Sequence, residues 1–198
     1  FALVGSLAFA VPVFATLDDP AFATVATAGP FLAVAAFALS VDQESTAFEL
    51  FARAGDRRDG KLYGLAGFSL AAAGLAILTV GFGMPSHVFV GTVLLVAFGN
   101  LGAQIARLWT TERVLATAGF VVTGALAAGI GQFLAATLAG VPAQVSRLAF
   151  LAASGALLGA LLRAVLFQRD DPLVMAVVAM LLWFFTALTG DISTTRIA

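Results

Sequence analysis

Between Phe1 and Ile197 the chain consists of seven long apolar runs, and its charges fall almost entirely in the short gaps between them. A run near 20 residues is what an α-helix needs to cross about 30 Å of hydrocarbon, where every backbone N–H and C=O has to be satisfied within the segment. The pattern therefore predicts an all-α fold, a polytopic transmembrane helical bundle of about seven spans. The runs lie at 1–17, 21–41, 62–83, 88–106, 114–140, 144–167 and 172–190.

Composition agrees with lipid as the solvent. With 61% hydrophobic and 11% charged residues and a mean hydropathy of +1.05, a water-soluble domain of this size would expose a far larger apolar surface than water tolerates. A net charge of -1, with no basic stripe to follow a phosphate backbone, excludes nucleic acid as a partner. Cysteine is absent, which removes disulfides, thiolate metal sites and cysteine nucleophiles. Residues 1–17 have the apolar length of a signal segment but lack a basic leader and run into Asp18-Asp19-Pro20 and a second span, so they read as a first transmembrane helix. The chain opens inside an apolar run and closes on Ile192-Ser193-Thr194-Thr195-Arg196-Ile197-Ala198, a polar lead toward a further helix. The expectation is a single transmembrane domain over 1–198, part of a longer chain whose C-terminal membrane domain is its natural partner.

Orientation follows from Lys and Arg alone, because acidic residues contribute little to the positive-inside bias. The gaps after the second, fourth and sixth spans carry Arg53, Arg57, Arg58, Lys61, Arg107, Arg113, Arg163 and Arg169, whereas the opposite side has only Arg147 and Arg196. This predicts a multi-pass protein of the cell membrane with its N-terminus cytoplasmic and residue 198 external. The longest gap, 42–61, is either a solvated connector or, over 44–54, an interfacial helix with Phe48, Leu50 and Phe51 facing lipid. Trp109 and Trp183 fit interface anchoring. The dense small residues of the fifth and sixth spans, such as Gly124, Ala128, Gly131, Gly155 and Gly159, read as close helix packing.

Polar groups at the cytoplasmic helix ends are the candidates for chemistry, with no catalytic residue identified. Asn100 and Gln104 lie one helical turn apart, placed either to bond a neighbouring helix or to face a ligand. Arg107, Glu112 and Arg113 cluster at the next turn, where two guanidinium groups can hold a phosphate bidentately or simply anchor the helix ends. Arg163, Arg169, Asp170 and Asp171 gather before Pro172. The adjacent carboxylates there suit a hard cation bridging a polyphosphate, or a helix N-cap ahead of a proline at the first helical position. His87 is the only histidine and stands beside Pro85 in an expected short external loop; with no second imidazole, no metal site is expected there.

The order of polar patches, namely Asp56-Arg57-Arg58-Asp59-Gly60-Lys61, Phe98-Gly99-Asn100-Leu101-Gly102-Ala103-Gln104-Ile105, Gly119-Phe120 and Asp170-Asp171-Pro172-Leu173-Val174, resembles the dolichol and phytol kinases, relatives of the phosphatidate cytidylyltransferases. The similarity runs over about residues 56–185. It implies a polytopic enzyme acting on an isoprenoid alcohol or its phosphate, with CTP and Mg2+ as the cofactors of an active member. The chain departs from that pattern in two places. Asn100 stands where the family has an aspartate, and Val114-Leu115-Ala116-Thr117-Ala118-Gly119 keeps a glycine but loses the Lys-Ser and Glu-Gly groups. An amide brings no charge to a cation, and a polyphosphate site without its cationic and acidic groups loses most of its electrostatic stabilisation. The resemblance thus implies a catalytically degenerate membrane domain. The closing segment 189–198 is similar to the lead into an integral membrane family related to phytyl-phosphate kinase. Two expectations from different classes follow: a membrane half of an isoprenoid-lipid-processing protein, with membrane lipid and an isoprenoid alcohol or phosphate as partners, or a transporter-like or structural module without chemistry of its own.

Overall fold

The computed structural model describes residues 1–52, 54–109, 111–141, 144–165 and 171–188. Every regular element among the described residues is helical, in the order α1 (Ala2–Ser6), a 3-10 turn (Leu7–Ala10), α2 (Val11–Phe14), α3 (Pro20–Ser40), α4 (Thr46–Phe51), α5 (Ala54–Asp59), α6 (Tyr63–Phe82), α7 (Ser86–Trp109), α8 (Arg113–Leu138), α9 (Val145–Val165) and α10 (Asp171–Leu188). Six of these, α3 and α6 to α10, are long and apolar enough to cross a membrane. The protein is a multi-pass helical membrane protein.

The first apolar run does not make a regular span. Pro12 has no N–H to give to the carbonyl of Ala8, and the chain tightens into the 3-10 turn just before it. The broken helix covers Ala2–Phe14, a shorter apolar stretch than the six long helices. It is nevertheless a core element. Ala8 and Val11 are fully buried, and a methyl added at Gly5 would fall 2.9 Å from Cβ of Ala97 on α7.

α7 is the axis of the bundle. From His87 to Ala97 every residue is buried, and Gly99, Asn100, Gly102 and Ala103 continue that burial toward the C-terminal end. It packs most extensively on α8 and also touches α1, α2, α6, α9 and α10, while α3 lies outside against α6. The α7–α8 approach is nearly backbone to backbone. A methyl at Gly119 would fall 2.7 Å from the carbonyl oxygen of Gly102, and one at Gly124 would fall 3.0 Å from that of Leu95. The Thr123 hydroxyl shares its proton between Phe98 O across this seam at 2.9 Å and Gly119 O on its own helix at 2.7 Å. Small residues take this role in lipid because no hydrophobic drive acts between helices there, so close packing and short hydrogen bonds carry the association.

Local signals set the ends of the other spans. Asp19 caps α3, its carboxylate accepting from the backbone N–H of Ala21 at 2.9 Å and of Phe22 at 3.2 Å, with Pro20 as the first helical residue. Gly83, at φ +71°, closes α6 in the left-handed conformation that only glycine takes without strain. His87 belongs to the first turn of α7 and is buried, which corrects its expected place in an exposed loop.

The 42–61 connector is folded against the bundle. Ser45 caps α4 by accepting from Phe48 N–H at 3.1 Å. Gln43 donates to Arg57 O at 3.3 Å, Glu49 pairs with Arg57 at 2.8 Å and Lys61 with Asp42 at 3.6 Å. Asp56, buried at 5% exposure, accepts from Gly64 N–H at 3.0 Å and so ties α5 to the start of α6. Phe48 is a core residue, not a lipid-facing one as expected, whereas Leu50 and Phe51 do face outward. With only six residues in α4, one large side chain has to dock the helix, and Phe48 is the one on the inner side. Arg53 lies outside the described residues.

Candidate functional site: an arginine-lined cleft at one end of the bundle

The hairpin between α7 and α8 turns at the same end of the bundle as the start of α10 and the end of α9, because the long helices alternate in direction. The C-terminal turn of α7 carries Arg107, the first residue of α8 is Arg113, and the last turn of α9 carries Arg163. These three guanidinium groups line one cleft of about 580 Å³. Its walls are short and apolar, chiefly Ala103 of α7, Ala116 of α8 and Ala160 and Ala164 of α9. Thr117 adds a hydroxyl, which donates to Arg113 O at 2.9 Å. Arg107 and Arg113 are exposed, while Arg163 is half-buried.

Phe120 closes the cleft from below. It is 2% exposed, and the Arg163 guanidinium carbon lies over its ring, 4.7 Å from the centroid. At that distance a cation is attracted by the negative face of the aromatic quadrupole. The ring fits because the helices beside it present glycines. A methyl at Gly99 would fall 2.6 Å from the ring, and one at Gly159 would fall 3.3 Å from it.

One turn deeper than Ala103, Asn100 is buried at 3% exposure and donates its side-chain N–H to Asp171 Oδ2 at 3.1 Å. Asp171 is itself buried, in the first turn of α10, where the following Pro172 rests on α6 close enough that a methyl at Gly67 would fall 3.1 Å from it. The pair therefore joins α7 to α10 at the point where α6 also meets them. Gln104, expected to share a face and an environment with Asn100, is exposed. Of the eight candidates, the structure brings Arg107, Arg113 and Arg163 to one cleft and joins Asn100 to Asp171; Arg169 and Asp170 lie outside the described residues.

The Asn100–Asp171 pair is arranged as a hydrogen bond and not as two ligands of one cation. Asn100 turns its amide nitrogen, not its oxygen, toward the Asp171 carboxylate, so the two do not present converging oxygen ligands. Among the described residues no three His, Cys, Asp or Glu side chains come together.

Phe120 and Asp56 are the functional-end residues that sequence reasoning did not single out for a role. Phe120 is one of 18 phenylalanines, and nothing local marks it as the one under an arginine. Asp56 reads as one more charge of the connector, and its partner Gly64 is eight residues away with a turn between them. Trp183, expected at an interface, is half-buried against the core, whereas Trp109 is almost fully exposed at the end of α7. No protein-family model, curated protein or solved structure matches the chain.

Proposed function

We propose that this is the membrane module of an isoprenoid-lipid-processing protein, and that it holds the phosphate head of an isoprenoid lipid in the arginine-lined cleft without carrying out the transfer chemistry itself. The observation that carries the reading is the composition of that cleft. Three arginines line one cleft together with alanine and phenylalanine walls, which suits an amphiphile with a phosphate head and a hydrocarbon tail. The resemblance to dolichol and phytol kinases supplies the isoprenoid class. The replacement of a family carboxylate by Asn100, bonded to Asp171, supports a degenerate catalytic centre. The concentration of Lys and Arg at this end, set against Arg147 at the other, supports a cytoplasmic orientation for the cleft.

The test is binding of geranylgeranyl monophosphate to the full-length protein in phosphatidylcholine nanodiscs, with Arg107→Ala and Arg163→Ala studied separately. A built site loses affinity at least tenfold from either change, with affinity for phosphatidylglycerol vesicles unchanged. Equal small losses for every anionic lipid, at about 1 kcal/mol per cation, would reduce the arginines to surface anchors and favour a transporter-like or structural module.

A further inference from the structure

Arg163 differs from the other two cleft arginines in its burial and in the ring beneath it. Arg107 and Arg113 are exposed at helix ends, but Arg163 is half-buried and lies on the face of a ring that is itself sealed between two helices. The slot for that ring exists because Gly99 on α7 and Gly159 on α9 have no side chain. At Gly99 a methyl would overlap the ring edge at 2.6 Å, and at Gly159 one would press on it at 3.3 Å. Phe120 is thus fixed from both sides, and a guanidinium resting on a fixed ring loses less freedom when it binds than one on a free side chain.

We infer that Phe120 is a positioning residue of the cleft: seated between Gly99 and Gly159, it holds Arg163 ready for a phosphate head. This rests on the cleft reading above and adds to it a residue that touches no phosphate. A bound head then meets this pre-placed guanidinium together with those of Arg107 and Arg113. Selectivity for a phosphate-headed lipid over general anionic surface depends on the first of these.

The experiment is a double-mutant cycle in the full-length protein, with geranylgeranyl monophosphate as the probe and inorganic phosphate as the tail-less control. Phe120→Leu is expected to weaken binding of the lipid phosphate roughly three- to thirtyfold, the range of a cation–π contact from exposed to desolvated. The same change in an Arg163→Ala background is expected to cost no further affinity. Phe120→Met, close to the native volume, serves if the leucine variant does not fold, and Phe120→Tyr, which keeps the ring, should retain most of the affinity. Peptide-resolved phenylglyoxal labelling supplies a second readout that needs no ligand: Arg163 should react faster once the ring is removed, with Arg107 unchanged. Equal losses from Phe120→Leu with and without Arg163, or an unchanged labelling rate at Arg163, would overturn the positioning role and leave the cleft standing. Wild-type protein that binds neither probe would overturn the cleft itself, and the labelling rates would still decide whether Phe120 holds Arg163. Lipid phosphate and inorganic phosphate bound equally well would identify the ligand as a soluble anion.

Discussion

Gly102→Ala places one methyl group where α7 and α8 come closest. The new carbon would lie 2.5 Å from the carbonyl oxygen of Gly119 and against Oγ1 of Thr123. The first neighbour is backbone, so no side-chain rotation relieves the overlap and the two helices have to part. Overpacking of this kind costs about 1–3 kcal/mol. Separation also weakens the Thr123 hydrogen bond to Phe98 O across the seam, and such bonds between membrane helices average about 0.6 kcal/mol. Against this stands the better helix propensity of alanine, up to about 1 kcal/mol. The balance is a net loss of about 1–3 kcal/mol. For a chain near 200 residues this corresponds to a fall in Tm of roughly 2–12 °C. Gly74→Ala on α6 is the matched control, because nothing lies within 4 Å of the added carbon. Thermal unfolding in mild detergent, followed by tryptophan fluorescence, measures both. If Gly102→Ala melts at or above wild type, as Gly74→Ala should, then the α7–α8 seam is not the tight contact described and the position of the cleft it frames is wrong.

Other outcomes follow from the same geometry. Asn100→Leu should destabilise by about 1–3 kcal/mol, because it removes the donor to a buried carboxylate; the double variant Asn100→Leu/Asp171→Leu should recover part of that loss, and strict additivity in the melting curves would refute the pairing. Phe48→Ala should undock the connector at a cost of about 3–5 kcal/mol to its local stability, read as faster hydrogen exchange in α4 and α5, whereas Leu50→Ala should leave exchange unchanged. In this cysteine-free chain, Glu44→Cys should resist an impermeant thiol reagent in intact cells while Asp18→Cys reacts; the reverse pattern would invert the proposed orientation.

The long spans were legible because lipid imposes one constraint on every residue of a crossing helix, and a run of apolar residues near 20 long has few other uses. The first run is an interrupted helix, and Pro12, whose missing N–H removes one bond of the ladder, leaves no mark in the hydropathy pattern. The break at Asp18-Asp19-Pro20 was legible as the gap before the second span, but not that Asp19 caps α3. Contacts between distant residues were not legible. Asn100 and Asp171 are 71 residues apart, and sequence spacing pairs Asn100 more naturally with Gln104, one turn away, than with a carboxylate on another helix. Likewise the alternation of spans puts Arg107, Arg113 and Arg163 at one end of the bundle, but which aromatic ring lies beneath Arg163 depends on two glycines, Gly99 and Gly159, on two other helices. Phe48 shows the same limit at short range. Its neighbours Leu50 and Phe51 face outward, and only the docking angle of a six-residue helix decides which side chain becomes core.

The proposed function requires the cleft formed by Arg107, Arg113 and Arg163 to take a phosphate-headed lipid. Native mass spectrometry of the full-length protein, extracted from its own membrane in mild detergent, addresses this without a chosen probe. The expected result is a retained lipid whose mass and fragmentation show a terminal phosphate on an isoprenoid chain, and its loss from Arg107→Ala and Arg163→Ala protein of unchanged Tm. Retention of only the bulk phospholipids, in proportions that neither substitution alters, would contradict it.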